Sequence, residues 1–240
     1  MSIKLPETRG PVSRINPKTL LLYGLPKVGK TDALSQLDDC LILDMEGGTE
    51  MYEVMSLDCK TIVNFINSLK ALEEDVKSTG KPKYKYLALD TIDKLEEFVD
   101  IEETFKFNKT AKAADKVTSV TELGYGLGYH YIRTGVMKYL SRLSKLCEFL
   151  IVIAHVKEKQ LSKGGVEVTH RDISLTGKLG SIVCAQTDAI GYMYRGDERG
   201  SQLMISFETT DNAVMGSRFK RLAGQKFPFD WNTIYIKNDK

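Results

Sequence analysis

The chain has 240 residues, 42% hydrophobic and 28% charged, with 34 Lys and Arg against 32 Asp and Glu for a net charge of +2. That length suggests one generous domain or a core with long insertions, large enough to stand without disulfides or metal. The composition excludes intrinsic disorder, a collagen-like fibre and a disulfide scaffold. The near-neutral balance excludes attachment to a polyanion by bulk charge, so any such site must be a local patch. Cys40, Cys59, Cys147 and Cys184 are widely spaced, no C-x-x-C occurs and only three histidines are present, so no structural zinc site is expected. Met1 to Arg14 has no apolar signal-type segment, and the longest apolar run, Phe149 to Ala154, is far shorter than a membrane span. The expectation is a reduced, cytoplasmic protein with no membrane partner.

Residues 1–17 are polar with two prolines and read as an extended arm, ahead of a single domain over 18–240. Thr19 to Tyr23 is a short apolar run of the kind buried on both faces of a sheet, and a glycine-bearing loop follows from Gly24 to Thr31. Leu41-Ile42-Leu43 is a second such strand, ending at Asp44. Ile62, Phe65, Ile66, Leu69 and Leu72 have helical spacing. Tyr86 to Leu89 is a third strand, ending at Asp90, and Leu95, Phe98, Val99 and Ile101 mark a further helix. Residues 108–128 read as a polar loop. Val136, Leu140, Leu143 and Leu146 recur at helical intervals after Ile132. Phe149 to Ala154 is a fourth strand, ending at His155. Residues 157–175 read as a second polar loop broken by Gly164-Gly165, before later strands at Ala189–Met193 and Leu203–Phe207. Short strands alternating with helices predict an α/β domain with a largely parallel central sheet flanked by helices.

Gly24-Leu25-Pro26-Lys27-Val28-Gly29-Lys30-Thr31 matches G-x-x-x-x-G-K-[ST], with a strand before it and a helix after it. The glycines let backbone N–H groups turn toward phosphates, and the helix N-terminus adds partial positive charge. Lys30 then neutralises the β- and γ-phosphates of ATP, and the Thr31 hydroxyl ligates Mg²⁺.

The strand ends supply the other candidates, because ligands of parallel α/β sheets lie outside the carboxyl ends of strands. Asp90 reads as the Walker B carboxylate that reaches Mg²⁺, or as a helix N-cap. Asp44 and Glu46 fall near the γ-phosphate, where a general base orients water. His155 either contacts the γ-phosphate or is a histidine satisfied by backbone.

Taken together, these residues resemble the RecA-like recombinase core, in order from about Thr19 to Tyr194. Leu41 to Glu46 looks like the family strand whose terminal Glu activates water, which assigns that role to Glu46. Leu87 to Asp90 looks like the family Walker B, and Ile151 to His155 like the strand ending in the γ-phosphate sensor. The commoner recombinase residue at the sensor is Gln after Asn; here Ala154-His155 stands there. The chain is most similar to the short, core-only single-strand annealing proteins of phages. The resemblance implies a RecA-like P-loop ATPase fold, catalytic roles for Glu46, Lys30 and His155, and DNA loops at 108–128 and 157–175. It also implies action on single-stranded DNA in recombination or annealing, in a phage-infected bacterial host. A homo-oligomeric ring or filament with nucleotide at subunit interfaces is implied as well, with a single-strand-binding protein as a possible partner.

The loops suit that role physically: ammonium groups follow phosphates while aromatic rings stack on bases. Lys109, Lys112, Lys116, Tyr125 and Tyr129 are the candidates in the first loop, beside Lys106, and Lys157, Lys159, Lys163 and Arg171 in the second. Arg218, Lys220 and Arg221 form a basic run without evident acidic partners. They read either as a cationic finger reaching a neighbouring subunit's phosphates or as an extension of the DNA track. Two alternatives stand beside the DNA reading: a P-loop phosphotransferase acting on a small molecule, and a nucleotide-dependent assembly or loading protein whose basic loops bind protein.

Overall fold

A computed structural model describes residues 5, 7–10, 12–163, 166–196, 201–210 and 212–237. Its strands are β1 (Thr19–Gly24), β2 (Cys40–Asp44), β3 (Met55–Asp58), β4 (Tyr84–Asp90), β5 (Cys147–Lys163), β6 (Val166–Ile173), β7 (Ala189–Arg195), β8 (Leu203–Ser206), β9 (Gly216–Ser217) and β10 (Lys226–Pro228). The helices are α1 (Lys30–Ser35), α2 (Ile62–Thr79), α3 (Ile92–Thr110), α4 (Leu127–Leu143), α5 (Leu179–Gln186) and α6 (Trp231–Ile234). In the sheet the strand order is β10-β8-β7-β1-β5-β4-β2-β3, with β6 on β5 and β9 on β7. From β7 to β3 every neighbouring pair is parallel, and β8, β9 and β10 add antiparallel pairs at the other side. This is an α/β fold with a largely parallel central sheet, in which β5 is inserted between the phosphate-loop strand β1 and the carboxylate strand β4.

Alternation along each strand sends neighbouring side chains to opposite faces. Leu21 and Tyr23 of β1 join a core with Phe65 and Leu69 of α2, Leu95 and Val99 of α3, Val136 of α4 and Val183 of α5. Leu20 and Leu22 join the opposite core, made by Ala33 and Leu34 of α1 and by Leu222, Trp231 and Tyr235 of the C-terminal segment. Both faces are therefore covered, which is why the central strands read as unbroken apolar runs. The Trp231 indole donates to the Ala33 carbonyl at 2.6 Å and fastens the C-terminal segment to α1. Burying an aromatic of this size while satisfying its N–H makes it a strong anchor.

Register aligns the strand ends. Gly24 of β1 lies opposite His155 of β5, Asp90 of β4 opposite Ile153, and Asp44 of β2 opposite Asp90. The polar residues that end the apolar runs therefore stand in one row at the carboxyl edge of the sheet.

Two expectations are corrected. The polar loop at 157–175 is largely a β-hairpin: β5 continues to Lys163 and pairs antiparallel with β6, Lys157 opposite Asp172 and Glu158 opposite Arg171. Opposite charges facing each other hold a register that no apolar alternation marks; the Gly164-Gly165 breaker lies outside the described residues. The loop at 108–128 is shorter, because α3 runs through Thr110 and α4 begins at Leu127; three short 3₁₀ turns lie between. The end of the arm is tied to the core. Arg14 reaches Asp188 at 3.2 Å, and Asn16 exchanges two hydrogen bonds with the Ile236 backbone. Arm positions 1–4, 6 and 11 lie outside the described residues. Strand β3, an exposed edge strand, is an addition to the predicted elements.

Candidate nucleotide site

The segment Gly24–Thr31 forms a tight loop between β1 and α1. Gly29 sits at φ 114°, a conformation side-chain-bearing residues rarely adopt, and a Cβ there would meet the Arg195 guanidinium at 2.9 Å. Glycine is the residue this turn requires. No side chain caps the first amides of α1. Lys30 is buried, and its ammonium donates to the carbonyls of Gly24 (3.2 Å) and Leu25 (3.0 Å). Burial lowers its pKa, opposed by the carboxylates of Asp90, Asp93 and Glu46.

Around this loop lies a cleft of about 400 Å³, lined by Pro26, Lys27 and Asp32 and by Glu46, Gly48, Tyr52, Asp90 and His155. The Thr31 hydroxyl donates to Asp90 Oδ2 at 2.9 Å. Burial pushes the Asp90 carboxyl up to about 6; the Thr31 hydrogen bond and Lys30 oppose the rise, while Glu46 and Asp44 add to it. A dication beside such a buried carboxylate would offset that penalty. A hydroxyl and a carboxylate converging next to a lysine is a donor set of the kind Mg²⁺ with phosphate oxygens takes, so the residues fit Mg-ATP. The N-cap of α3 is Thr91, whose hydroxyl accepts from the Lys94 amide, so Asp90 is not spent as a cap.

Glu46 lines the cleft with Oε1 accepting from the Thr91 hydroxyl at 3.1 Å and Oε2 3.9 Å from His155 Nε2. Asp44, expected to share the γ-phosphate region, is instead turned away. It is buried, and its carboxylate accepts from the amides of Glu46, Gly47, Gly48 and Thr49 and from the Thr49 hydroxyl at 2.6 Å. It shapes the loop that carries Glu46. His155 is satisfied through its backbone, as one of its two expected readings had it, and it also lines the cleft. Its amide donates to Asp93 and its carbonyl accepts from Ser174, while its imidazole lines the cleft.

Asp93 was not among the predicted residues. Its Oδ2 accepts from the His155 amide at 3.0 Å and stands 3.7 Å from Nδ1. Burial pushes its carboxyl up to about 7; the His155 amide opposes this, Glu46 adds to it and Lys30 opposes it. Tyr52 and Arg195 were also missed. The sequence signal for Asp93 was a second acidic residue one helical turn after Asp90; Tyr52 and Arg195 carried none.

These features define a P-loop ATPase core. The chain belongs to the AAA domain family, which residues 16–219 match. No curated protein sequence matches it. Among solved structures it is similar to the KaiC-like protein PH0186 from the hyperthermophilic archaeon Pyrococcus horikoshii OT3. The identity is 12% and the TM-score 0.45, over 90% of this chain and 87% of that one. Among the described residues no helix is long and apolar enough to cross a membrane.

The DNA candidates divide. Lys109, Lys112, Lys116, Tyr125 and Tyr129 are exposed, with Tyr125 at φ 57° at the tip between two glycines. Lys106 lies on α3 and pairs with Glu102 and Glu103. Lys157 and Lys159 are exposed on β5, and Lys163 ends that strand. Arg171 is engaged: it pairs with Glu158 at 3.0 Å, and its guanidinium lies over the Tyr192 ring. The two segments approach each other where a methyl group at Gly177 would stand 3.6 Å from the Tyr129 ring. The basic run near the C-terminus also needs correcting. Arg218 has an acidic partner, Asp188, at 3.4 Å and donates to the Ala185 carbonyl. Arg221 is half-buried and donates to the carbonyls of Thr233, Ile234 and Ile15 and to Asn16 Oδ1. Both arginines clamp their own chain; Lys220 remains exposed.

Proposed function

We propose that this ATPase binds single-stranded DNA as a homo-oligomer with nucleotide at subunit interfaces, and that ATP state sets its DNA affinity, in recombination or annealing of the phage type. One observation carries the reading: β5 passes without interruption from the sheet, through His155 at the cleft, into the hairpin arm that bears Lys157 and Lys159. A displacement of His155 on γ-phosphate loss is a displacement of the arm's base. The exposed lysines and tyrosines of the first segment, adjoining the hairpin's return at Gly177, add the cation-and-ring chemistry that single strands favour.

In this reading the phosphates of ATP lie on the amides of the Gly24–Thr31 loop, and Lys30 swings from its carbonyl partners to the β- and γ-oxygens. Thr31 and Asp90 hold Mg²⁺, which supplies charge neutralisation when bound. Glu46, steadied by the Thr91 hydroxyl, orients the attacking water and accepts its proton. Nucleotide changes DNA affinity only through differential binding to two states.

The test is fluorescence anisotropy of a labelled single-stranded oligonucleotide titrated with protein in Mg-ATP and in Mg-ADP at several salt concentrations. The expected result is tighter binding in ATP, with log affinity falling against log salt at a slope of about −0.7 per phosphate contacted. No binding in either nucleotide at low salt overturns the DNA reading. Light scattering that shows ATP-driven oligomers without DNA affinity would then favour the assembly-protein alternative.

A further inference from the structure

Among the groups around the cleft, Asp93 has no role in the mechanism above, yet it touches the sensor strand directly. We propose that Asp93 is a positioning residue for ATP hydrolysis: from the first turn of α3 it holds His155 so that imidazole Nε2 faces the Glu46 carboxylate across the cleft. The inference rests on the reading that Glu46 orients water and His155 meets the γ-phosphate.

The geometry is a chain of three side chains. Asp93 Oδ2 accepts from the His155 amide at 3.0 Å and lies 3.7 Å from Nδ1; His155 Nε2 lies 3.9 Å from Glu46 Oε2. Glu46 Oε1 is fixed from the other side by Thr91, two residues before Asp93. The backbone of His155 is held on both sides, by Asp93 at its amide and by Ser174 at its carbonyl. What remains free is rotation of the imidazole about its side-chain torsions. Glu46 and a γ-phosphate oxygen are both acceptors, so Nε2 must carry a proton to meet them; the carboxylate beside Nδ1 favours the rotamer and the doubly protonated ring that leave an Nε2–H facing the cleft. Asp93 is mostly buried, with 16% of its side chain exposed, so it is shielded from water that would screen this effect. The separations of 3.7 and 3.9 Å exceed hydrogen-bond length, and catalytic hydrogen bonds commonly tighten only with substrate bound. A γ-phosphate entering beside His155 draws the imidazole forward, and Asp93 is the group behind it that determines how it points.

At pH 8, above the value of about 7 for the Asp93 carboxyl, Asp93→Asn isolates this role, because the amide oxygen still accepts from the His155 backbone while the charge facing Nδ1 is lost. The full-length protein is assayed for steady-state ATP hydrolysis, with and without single-stranded oligonucleotide, and for equilibrium binding of a slowly hydrolysed ATP analogue. The expected result is a kcat reduced at least tenfold, with KM and analogue affinity within twofold of the parent. The double mutant separates positioning from simple structural support. On a His155→Ala background, adding Asp93→Asn should change kcat by less than twofold, since the residue it positions is gone. Thermal melting reports the fold; if Asp93→Asn does not fold, Asp93→Thr, which keeps a short acceptor for the same amide, takes its place. A normal kcat in the Asp93 variant beside an impaired His155→Ala overturns the inference and leaves the reading of the site intact. An equal further loss on the His155→Ala background overturns it too. A normal kcat in His155→Ala removes the underlying reading, and the inference with it.

Discussion

The phosphate loop and the two polar segments are both functional candidates, but they are held in opposite ways. Lys30 bonds to carbonyls only five and six residues before it, and Gly29 makes a turn that its own backbone demands. The loop is thus nearly self-contained. The polar segments are held from a distance by one face of α3. Asp93 accepts from the His155 amide 62 residues away, where the hairpin begins. Glu96 accepts from the Thr176 amide and hydroxyl 80 residues away, where the hairpin has returned. Asp100 accepts from the Val120 amide and the Ser119 hydroxyl in the first segment. These carboxylates fall at i, i+3 and i+7, on one side of the helix. The helix that starts beside the Walker B aspartate is therefore the element to which both segments are fastened. Local architecture suits a site whose ligand is always phosphate; remote fastening suits segments whose position has to follow the site.

The largest effect that tests this contrast is at the loop. Lys30→Ala should weaken ATP binding at least 100-fold, about 2.8 kcal/mol, measured by titration calorimetry. Its melting temperature should not fall, because Lys30 is buried at the expense of its charged form. A large loss of stability would show that the loop is a structural keystone and blur the distinction. Glu96→Ala should do the reverse. It leaves the Thr176 amide and hydroxyl without their acceptor, costing about 2 kcal/mol, with faster amide exchange confined to the hairpin's return and α5. KM for ATP should stay within twofold. If ATP binding falls instead, α3 is part of the cleft and the two regions are not separable.

The same contrast governs what was legible in the sequence. The P-loop, the strand-end row of Asp44, Asp90 and His155, and the order of the buried strands could be read because each depends on neighbours in the chain. The hairpin could not. Between Val156 and Ile173 the sequence has only Leu161, Val166 and Val168 as large apolar residues, too few for a sustained period-two signal, and the register includes pairs such as Lys157–Asp172 that become visible only once the strands are aligned. Strand β3 escaped because it is short and mostly exposed at the sheet's edge. Arg218 and Arg221 read as unpaired because Asp188 and the carbonyls near Ile234 are far away in the chain. Asp93, Glu96 and Asp100 belong to no motif and stand among the apolar positions that mark the helix. Only the fold supplies the backbone amides that make them fasteners.

Asp44 is the intermediate case, legible as an acidic strand end but misassigned in role, and it gives the smallest of these effects. Burial pushes its carboxyl up, but the Thr49 hydroxyl and the amides of Thr49, Gly47 and Glu46 outweigh this and leave it below its ordinary value of 3.8. Because the folded-state value is the lower one, the unfolded chain binds the proton more tightly. The stability Asp44 contributes is present above pH 3.8 and is lost as pH falls through the folded-state value. Asp44→Asn keeps an acceptor oxygen but loses the charge, and should cost about 1 kcal/mol at neutral pH. The gap in melting temperature between variant and parent should close as pH drops below 4. A gap that stays constant from pH 7 to pH 3 would mean that the loop bearing Glu46 is shaped by its glycines and not by charge.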